Sequence, residues 1–266
     1  MSTGFQDNYR RELCFDEPIF VLGLTLYPIK MQDYETWLDA KSALLLRLST
    51  LPASYAVKCY LDALYSFDMN LYYTEGRSCG LLFRLATLLC LSLGLPRKYA
   101  EQLIQFSVSK SDPRVLKGIC IKQEETQLTL SPQEFDVLRE AIAIQNGEML
   151  PDETENPELI EALELLNRGD GSLDINTEEL ISSVAYKSGI RKREIFGWTI
   201  REFEERRRAV ERELMHSICA LAESNGAKWK GGNPYPSWCY EKSKNHSGIF
   251  MPESAMLGQL GQNGTT

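Results

Sequence analysis

The sequence predicts a mainly α fold, a helical bundle with a minor β hairpin or sheet and an extended C-terminal arm. Three observations support this prediction. Apolar residues recur at three- and four-residue spacing through most of the chain, as on amphipathic helices. Residues 114–130 instead place two apolar runs around a polar turn, and the region after residue 227 is rich in glycine, proline and aromatic residues. With 266 residues and 43% hydrophobic content, the chain can build its own core.

The N-terminal part is predicted to begin with a strand and to continue in helices. Residues 20–27 are rich in strand-forming types and stop at Pro28, which favours a short strand. Helices are predicted next over residues 31–49, 54–72, 78–93 and 97–108, each from its apolar periodicity or its stop signals. Residues 114–130 then form the hairpin, which is available to pair with the N-terminal strand.

The following part is predicted to be helical throughout. The capping box Ser131-Pro132-Gln133-Glu134 starts a helix over residues 132–146, and Asn156 caps another that ends at Gly169. Between these helices, residues 148–155 form an acidic loop that we expect to be exposed and mobile. Two more helices are predicted at residues 177–188 and 199–225.

The last of these helices carries apolar residues at helical spacing along its length. Its members are Ile200, Phe203, Val210, Leu214, Ile218 and Leu221. Arg207 interrupts this row of apolar residues, so packing against the body of the protein is favoured over a coiled coil. These features divide the chain into residues 1–130, residues 131–227 and a tail of residues 228–266.

Composition bounds the compartment and the partners. The seven cysteines form an odd set without closely spaced pairs, which favours a reducing intracellular compartment. The N-terminus does not have the pattern of a signal peptide, and the longest apolar run, residues 81–95, contains Arg84 and is too short to span a bilayer. The net charge of −8 disfavours nucleic acid as a partner.

No motif for catalysis or for a cofactor is present. The two histidines, His216 and His246, each have at most one cysteine nearby in sequence, whereas zinc requires three or four protein ligands. The sequence lacks a nucleophile elbow, a phosphate-binding glycine loop and a dinucleotide fingerprint. We therefore expect a protein that is not an enzyme and that needs no metal and no cofactor.

Two groups of residues are candidates for binding a macromolecule. Trp229, Tyr235, Trp238 and Tyr240 lie among glycines and prolines in the tail, and they are of the types that dominate protein interfaces. They dock either on a partner or back onto their own domain. Separately, Ala185, Gly189, Ile190 and Ile195 have the spacing of a helix-turn-helix, which would place Arg191, Lys192 and Arg193 at the start of its second helix. Plain packing of two helices gives the same spacing.

Three segments together resemble tail-assembly proteins of phages of Gram-positive bacteria. The segments are residues 26–34, residues 184–203 with the helix pair around Gly189, and Asn233-Pro234-Tyr235-Pro236-Ser237-Trp238. The resemblance implies a helical chaperone in the host cytoplasm that binds a tape-measure or tail-tube protein during virion morphogenesis, and it allows a homo-oligomer. It transfers no individual residue roles. The alternatives are a helix-turn-helix nucleic-acid-binding protein and a structural virion subunit of a connector or baseplate.

Overall fold

The computed structural model describes residues 8–123, 125–153, 176–229 and 232–239. It confirms the mainly α fold with a small antiparallel β component. The chain divides into two compact units, of which the first ends at Glu205 and the second begins at Arg206. No helix in the described part of the chain is both long and apolar enough to cross a membrane.

The α-helices and strands of the described residues are numbered here in chain order. The helices are α1 (Arg10–Cys14), α2 (Tyr34–Ala40), α3 (Ser42–Leu45), α4 (Ala53–Ala56), α5 (Tyr60–Glu75), α6 (Leu81–Ser92), α7 (Ala100–Leu103), α8 (Pro132–Gln145), α9 (Thr177–Ser188), α10 (Lys192–Ile195) and α11 (Ile200–Ser224). The strands are β1 (Ile19–Val21), β2 (Leu24–Leu26), β3 (Ile104–Val108), β4 (Leu116–Gln123) and β5 (Thr126–Leu130). Short 3-10 turns lie at Met31–Asp33, Leu48–Thr50 and Arg97–Tyr99.

One hydrophobic core holds the first unit together, and it draws on residues from Ile19 to Phe203. Trp37, Phe135 and Phe203 are its largest fully buried side chains. Helix α8 contributes Phe135 to the same core as the helices before it, because it packs on α5 and β4. Residues on both sides of the predicted boundary between residues 130 and 131 thus contribute to one core.

The N-terminus of α6 is held by one buried carboxylate. Asp68 Oδ1 accepts hydrogen bonds from Ser78 Oγ and the Cys79 backbone N–H, both at 2.7 Å, and its Oδ2 accepts from the Leu82 N–H at 3.3 Å. Free N–H groups at a helix start attract a negative charge. This capping explains how the apolar α6, predicted over residues 78–93, begins cleanly after Gly80.

The predicted N-terminal strand is wrong in one respect, because residues 20–27 contain a turn. Strands β1 and β2 form a tight hairpin, with Ile19 opposite Leu26. Leu22 and Gly23 lie between them with φ of 52° and 82°. Positive φ at both central residues is what a two-residue hairpin turn requires. The hairpin pairs with no other strand in the described residues.

The predicted hairpin over residues 114–130 is confirmed as β4 and β5, but its additional partner differs. Strand β3 pairs antiparallel with β4, with Ile104 opposite Ile121, where a helix over residues 97–108 was predicted. The apolar residues Ile104, Phe106 and Val108 alternate at the strand period of two, and β4 provides the strand with which they pair. In β4, a side chain at Gly118 would overlap the Leu130 backbone oxygen, so only glycine fits there.

A glutamine side chain joins the two sheets. Gln123 Oε1 accepts a hydrogen bond from the Thr25 N–H at 3.0 Å, and its Nε2 donates to the Thr25 and Leu93 carbonyl oxygens at 2.8 and 3.0 Å. The amide thus pairs with Thr25 as a neighbouring strand would. This link replaces the backbone pairing that was expected between the hairpin and the N-terminal strand.

Helix α8 confirms the capping box. The Glu134 N–H donates to Ser131 Oγ at 3.3 Å, and the Glu134 carboxylate accepts from the Ser131 N–H at 2.8 Å. These hydrogen bonds lower the pKa of Glu134. The predictions of α9 over residues 177–188 and of α11 over residues 199–225 are also confirmed.

Three local predictions are corrected, two because the predicted helix is interrupted and one because the loop makes contacts. The predicted helix over residues 31–49 is divided into α2, α3 and two 3-10 turns, and the one over residues 54–72 is interrupted before Tyr60, where Cys59 is extended. The loop after α8 is anchored to the body: Glu148 pairs with Lys41 at 3.0 Å, and Glu153 accepts from the Leu48 N–H at 3.1 Å. The helix predicted from Asn156 to Gly169 lies outside the described residues.

The start of α11 is fixed to the first unit by its backbone. The Met31 N–H donates to the Trp198 carbonyl oxygen at 2.9 Å, and the Ile200 N–H donates to the Ile29 oxygen at 2.8 Å. Ile200 and Phe203 are both buried there. The first turn of the long helix is thus part of the core.

Candidate functional site

The candidate site lies in the second compact unit, on the part of α11 that follows Glu205. This part of the helix carries two features: a segment that folds back onto it, residues 232–239, which we call the strap, and a row of exposed apolar side chains.

The strap is attached to α11 through its main chain. His216 Nδ1 lies 2.8 Å from the Tyr235 carbonyl oxygen, and Arg212 Nε donates to the Trp238 carbonyl oxygen at 3.1 Å. A carbonyl oxygen only accepts, so His216 Nδ1 carries the proton in this contact. Arg212 and His216 are four residues apart and therefore lie on one face of the helix.

The strap is also held by hydrogen bonds within itself, and a buried thiol lies on the same helix face. The Tyr235 N–H donates to Asn233 Oδ1 at 2.8 Å, which is an Asx-type turn. Cys219, one turn beyond His216, is 2% exposed, although it lies on a helix whose other residues are mostly polar. The strap face is thus occupied by residues of the same chain.

The other face of the helix is apolar and exposed. Four residues spaced by four, four and three positions form a row that we call the apolar stripe: Val210, Leu214, Ile218 and Leu221. Leu214 and Ile218 are each 50% exposed and Leu221 is 65% exposed, whereas Val210 is partly covered. At about 100° per residue, the apolar stripe and the strap face lie on roughly opposite sides of α11.

Charged residues border the apolar stripe at its N-terminal end. Arg207 Nη1 lies 3.4 Å from Glu211 Oε2, one turn further along the helix. By its spacing, Arg207 lies in line with the apolar stripe, one turn before Val210 and Glu211. A partner that covers the apolar stripe would therefore meet this pair at one end.

The four aromatic residues predicted to bind a partner are in different situations. The Tyr235 side chain is partly buried, and its main chain is attached to α11. The Trp238 ring is 62% exposed while its main chain is held by Arg212, and Trp229 is also exposed. Tyr240 lies outside the described residues. The sequence left two alternatives open, docking on a partner and docking on the same chain. The backbone of the strap docks on the same chain, whereas the Trp238 ring stays exposed.

The basic triplet of the nucleic-acid hypothesis is exposed, but its helix is short. Arg191 precedes α10, which contains Lys192 and Arg193 and spans only four residues. Lys192 Nζ lies 3.7 Å from the Glu178 carboxylate on α9. A recognition helix must reach into the major groove with several of its residues. The four residues of α10 are too few for that geometry.

Metal-ligating side chains do not cluster in the described residues. No group of three or more histidine, cysteine or acidic side chains there could hold a metal ion. All seven cysteines are free thiols, and burial raises the pKa of Cys90 to about 11. Sequence reasoning identified the apolar stripe but expected it to pack against the body. It missed the roles of Arg212 and His216, for which only their four-residue spacing gave a signal.

Comparisons with protein-family models, with curated proteins and with solved structures find no match to this chain.

Proposed function

We propose that this protein is a non-enzymatic assembly factor that binds a helix of a partner protein through the apolar stripe of α11. The observation that carries the proposal is the exposure of Leu214, Ile218 and Leu221 in one row. Single exposed leucines are ordinary on protein surfaces, but a contiguous row indicates an interaction site. The opposite face is occupied by the strap, so one face of this helix is left for a partner.

The shape and spacing of the apolar stripe favour a helical partner. Amphipathic helices are recognised through apolar residues at helical spacing, and the stripe presents that spacing on its own surface. Its length of about three turns corresponds to roughly 16 Å at 1.5 Å per residue.

The size of the apolar stripe argues for many weak contacts on a long partner. Fully burying a leucine or isoleucine gives about 1.5–3 kcal/mol, so the half-exposed residues of the stripe offer roughly 3–6 kcal/mol together. Association in solution costs about 4–15 kcal/mol in lost freedom. A single contact, including one with a second copy of this chain, is therefore weak. Several copies bound side by side along one long helix would reinforce each other where neighbouring copies also contact one another.

A tape-measure protein of a phage tail is such a long partner, and the resemblance to tail-assembly proteins leads us to propose it. In this proposal the protein acts in the host cytoplasm as a chaperone that covers the tape-measure protein while the tail tube polymerises. The exposed Trp238 ring provides a second anchor, because its main chain is already held and little entropy is lost on docking.

Co-expression with a candidate tape-measure protein, followed by pull-down, tests the proposal. Leu214→Glu and Leu221→Glu should each reduce recovery of the partner by about tenfold or more, since a charge would be buried at the contact. Met149→Glu is the matched control, because Met149 is an exposed apolar residue in the first unit. Equal recovery with all three variants, or no association of the unaltered protein, would refute it.

The presence or absence of the protein in mature virions distinguishes a structural subunit from a chaperone. A chaperone leaves the assembled particle, so mass spectrometry of purified virions should not detect this chain. Its recovery from mature particles in stoichiometric amounts would assign it to the connector or baseplate instead.

A further inference from the structure

A cleft of about 350 Å³ lies in the first unit, beside the middle of α5. Its volume is in the range of sites that bind small molecules. Two cationic side chains, Lys58 and Arg114, line it, and no carboxylate is among its lining residues in the described chain. This composition stands out in a protein with 37 acidic and 29 basic residues.

The two cations differ in how much of their charge is already satisfied. Lys58 Nζ donates to Ser66 Oγ at 2.8 Å and lies 3.7 Å from Asp62 Oδ2. The Arg114 guanidinium lies 5.0 Å from the centre of the Tyr73 ring. Within the described residues no carboxylate forms an ion pair with Arg114. Its planar fork of donors suits carboxylate and phosphate oxygens.

The rest of the lining is neutral and amphipathic. Ser54 and Asn70 add groups that can donate or accept hydrogen bonds, while Tyr55, Met69 and Val115 add apolar surface. The Tyr55 ring is fixed by an edge-on contact with Phe67 at 5.5 Å between ring centres. A ligand with a charged end and a flat or apolar body would match both parts of this lining.

We propose that this cleft binds a small organic anion, whose carboxylate or phosphate lies between Lys58 and Arg114 and whose apolar body lies against Tyr55, Met69 and Val115. The proposal is independent of partner binding by α11, since the cleft belongs to the first unit.

Ligand-detected NMR and calorimetry on the full chain test it with benzoate, phenyl phosphate, inorganic phosphate and the neutral benzyl alcohol. Benzoate or phenyl phosphate should bind more tightly than inorganic phosphate and benzyl alcohol, because only these probes use both parts of the cleft. Whichever of the two binds more tightly identifies the charged group. Lys58→Gln and Arg114→Gln should each weaken binding by about tenfold.

Two further variants keep the test decisive if a cleft variant folds poorly. Lys117→Gln makes the same change in net charge at an exposed position outside the cleft lining, and it should leave affinity unchanged. Ser54→Asp places a carboxylate on the exposed rim and should abolish anion binding while the circular dichroism spectrum stays the same. The proposal is overturned if neither aryl anion binds at millimolar concentration, if benzyl alcohol binds as tightly as benzoate, or if Lys117→Gln weakens binding as much as Arg114→Gln.

Discussion

Replacing Gln123 by alanine should destabilise the first unit far more than an ordinary substitution in a strand. Its amide makes three hydrogen bonds, one from the Thr25 N–H and two to the carbonyl oxygens of Thr25 and Leu93. Gln123 is itself buried. Alanine removes the amide and leaves these backbone groups without a partner in a partly buried place.

The expected cost follows from the number of orphaned groups. A buried polar group left without a hydrogen bond costs about 1–3 kcal/mol, and partial access of water at the edge of the sheet reduces the sum. We therefore expect Gln123→Ala to lower the free energy of unfolding by roughly 3 kcal/mol. In a unit of this size that corresponds to a fall in Tm of roughly 6–12 °C.

Gln127→Ala is the matched control for this prediction. Gln127 is also a glutamine of the β4–β5 hairpin, but it is exposed and its side chain donates to Cys120 Sγ at 3.3 Å. Its replacement should change the free energy of unfolding by no more than about 0.5 kcal/mol. Urea unfolding, followed by circular dichroism and by tryptophan emission, to which the buried Trp37 contributes, measures both variants. If the two unfold at the same urea concentration, the role assigned to the Gln123 amide is refuted.

Three further predictions address backbone fit, thiol reactivity and alkaline stability. Gly118→Ala should reduce soluble yield and Tm strongly, because the new methyl group would overlap the Leu130 oxygen; wild-type thermal stability would contradict this. Burial raises the pKa of Cys90 to about 11, so its thiol should stay protonated and unlabelled by DTNB at pH 8 until urea is added, whereas the exposed Cys14 and Cys239 should react at once. Burial, opposed by the Arg139 charge, raises the pKa of Tyr60 from 10.0 to about 12, so the folded state holds that proton more tightly than the unfolded state does. The stability linked to this proton is therefore complete below pH 10 and lost as pH rises through about 12; Tyr60→Phe should flatten that loss, and an unchanged pH profile would contradict the assignment.

The parts of the fold that follow from local sequence signals were predictable. The Ser131 capping box fixes the start of α8, Gly189 ends α9, and the polar turn before Thr126 separates β4 from β5. In each case a few neighbouring residues contain the whole signal. The apolar periodicity of α6 and α11 is similarly local, and both helices are where the pattern placed them.

The parts of the fold that depend on contacts between distant residues could not be predicted from local sequence signals. Residues 104–108 become a strand because β4 offers a partner to their alternating apolar side chains. Gln123 has no local signal for its role, since the groups it binds are 98 and 30 residues away in the chain. The same holds for the loop after α8, whose Glu148 and Glu153 find partners on residues 41–49.

The long helix shows why the candidate site was only half predictable. Its apolar residues have one periodicity from Ile200 to Leu221, with Arg207 interrupting it after Phe203, and this pattern alone does not show that only the first two are buried. The distinction comes from the backbone pairing of Trp198 and Ile200 with residues 29–31, which places only the first turn of α11 in the core. Beyond Glu205 the same pattern continues without that core. The strap then covers the face of Arg212 and His216, and the apolar stripe is left exposed. This exposed row of leucine and isoleucine, opposite a face covered by the same chain, is the observation on which the proposed partner binding rests.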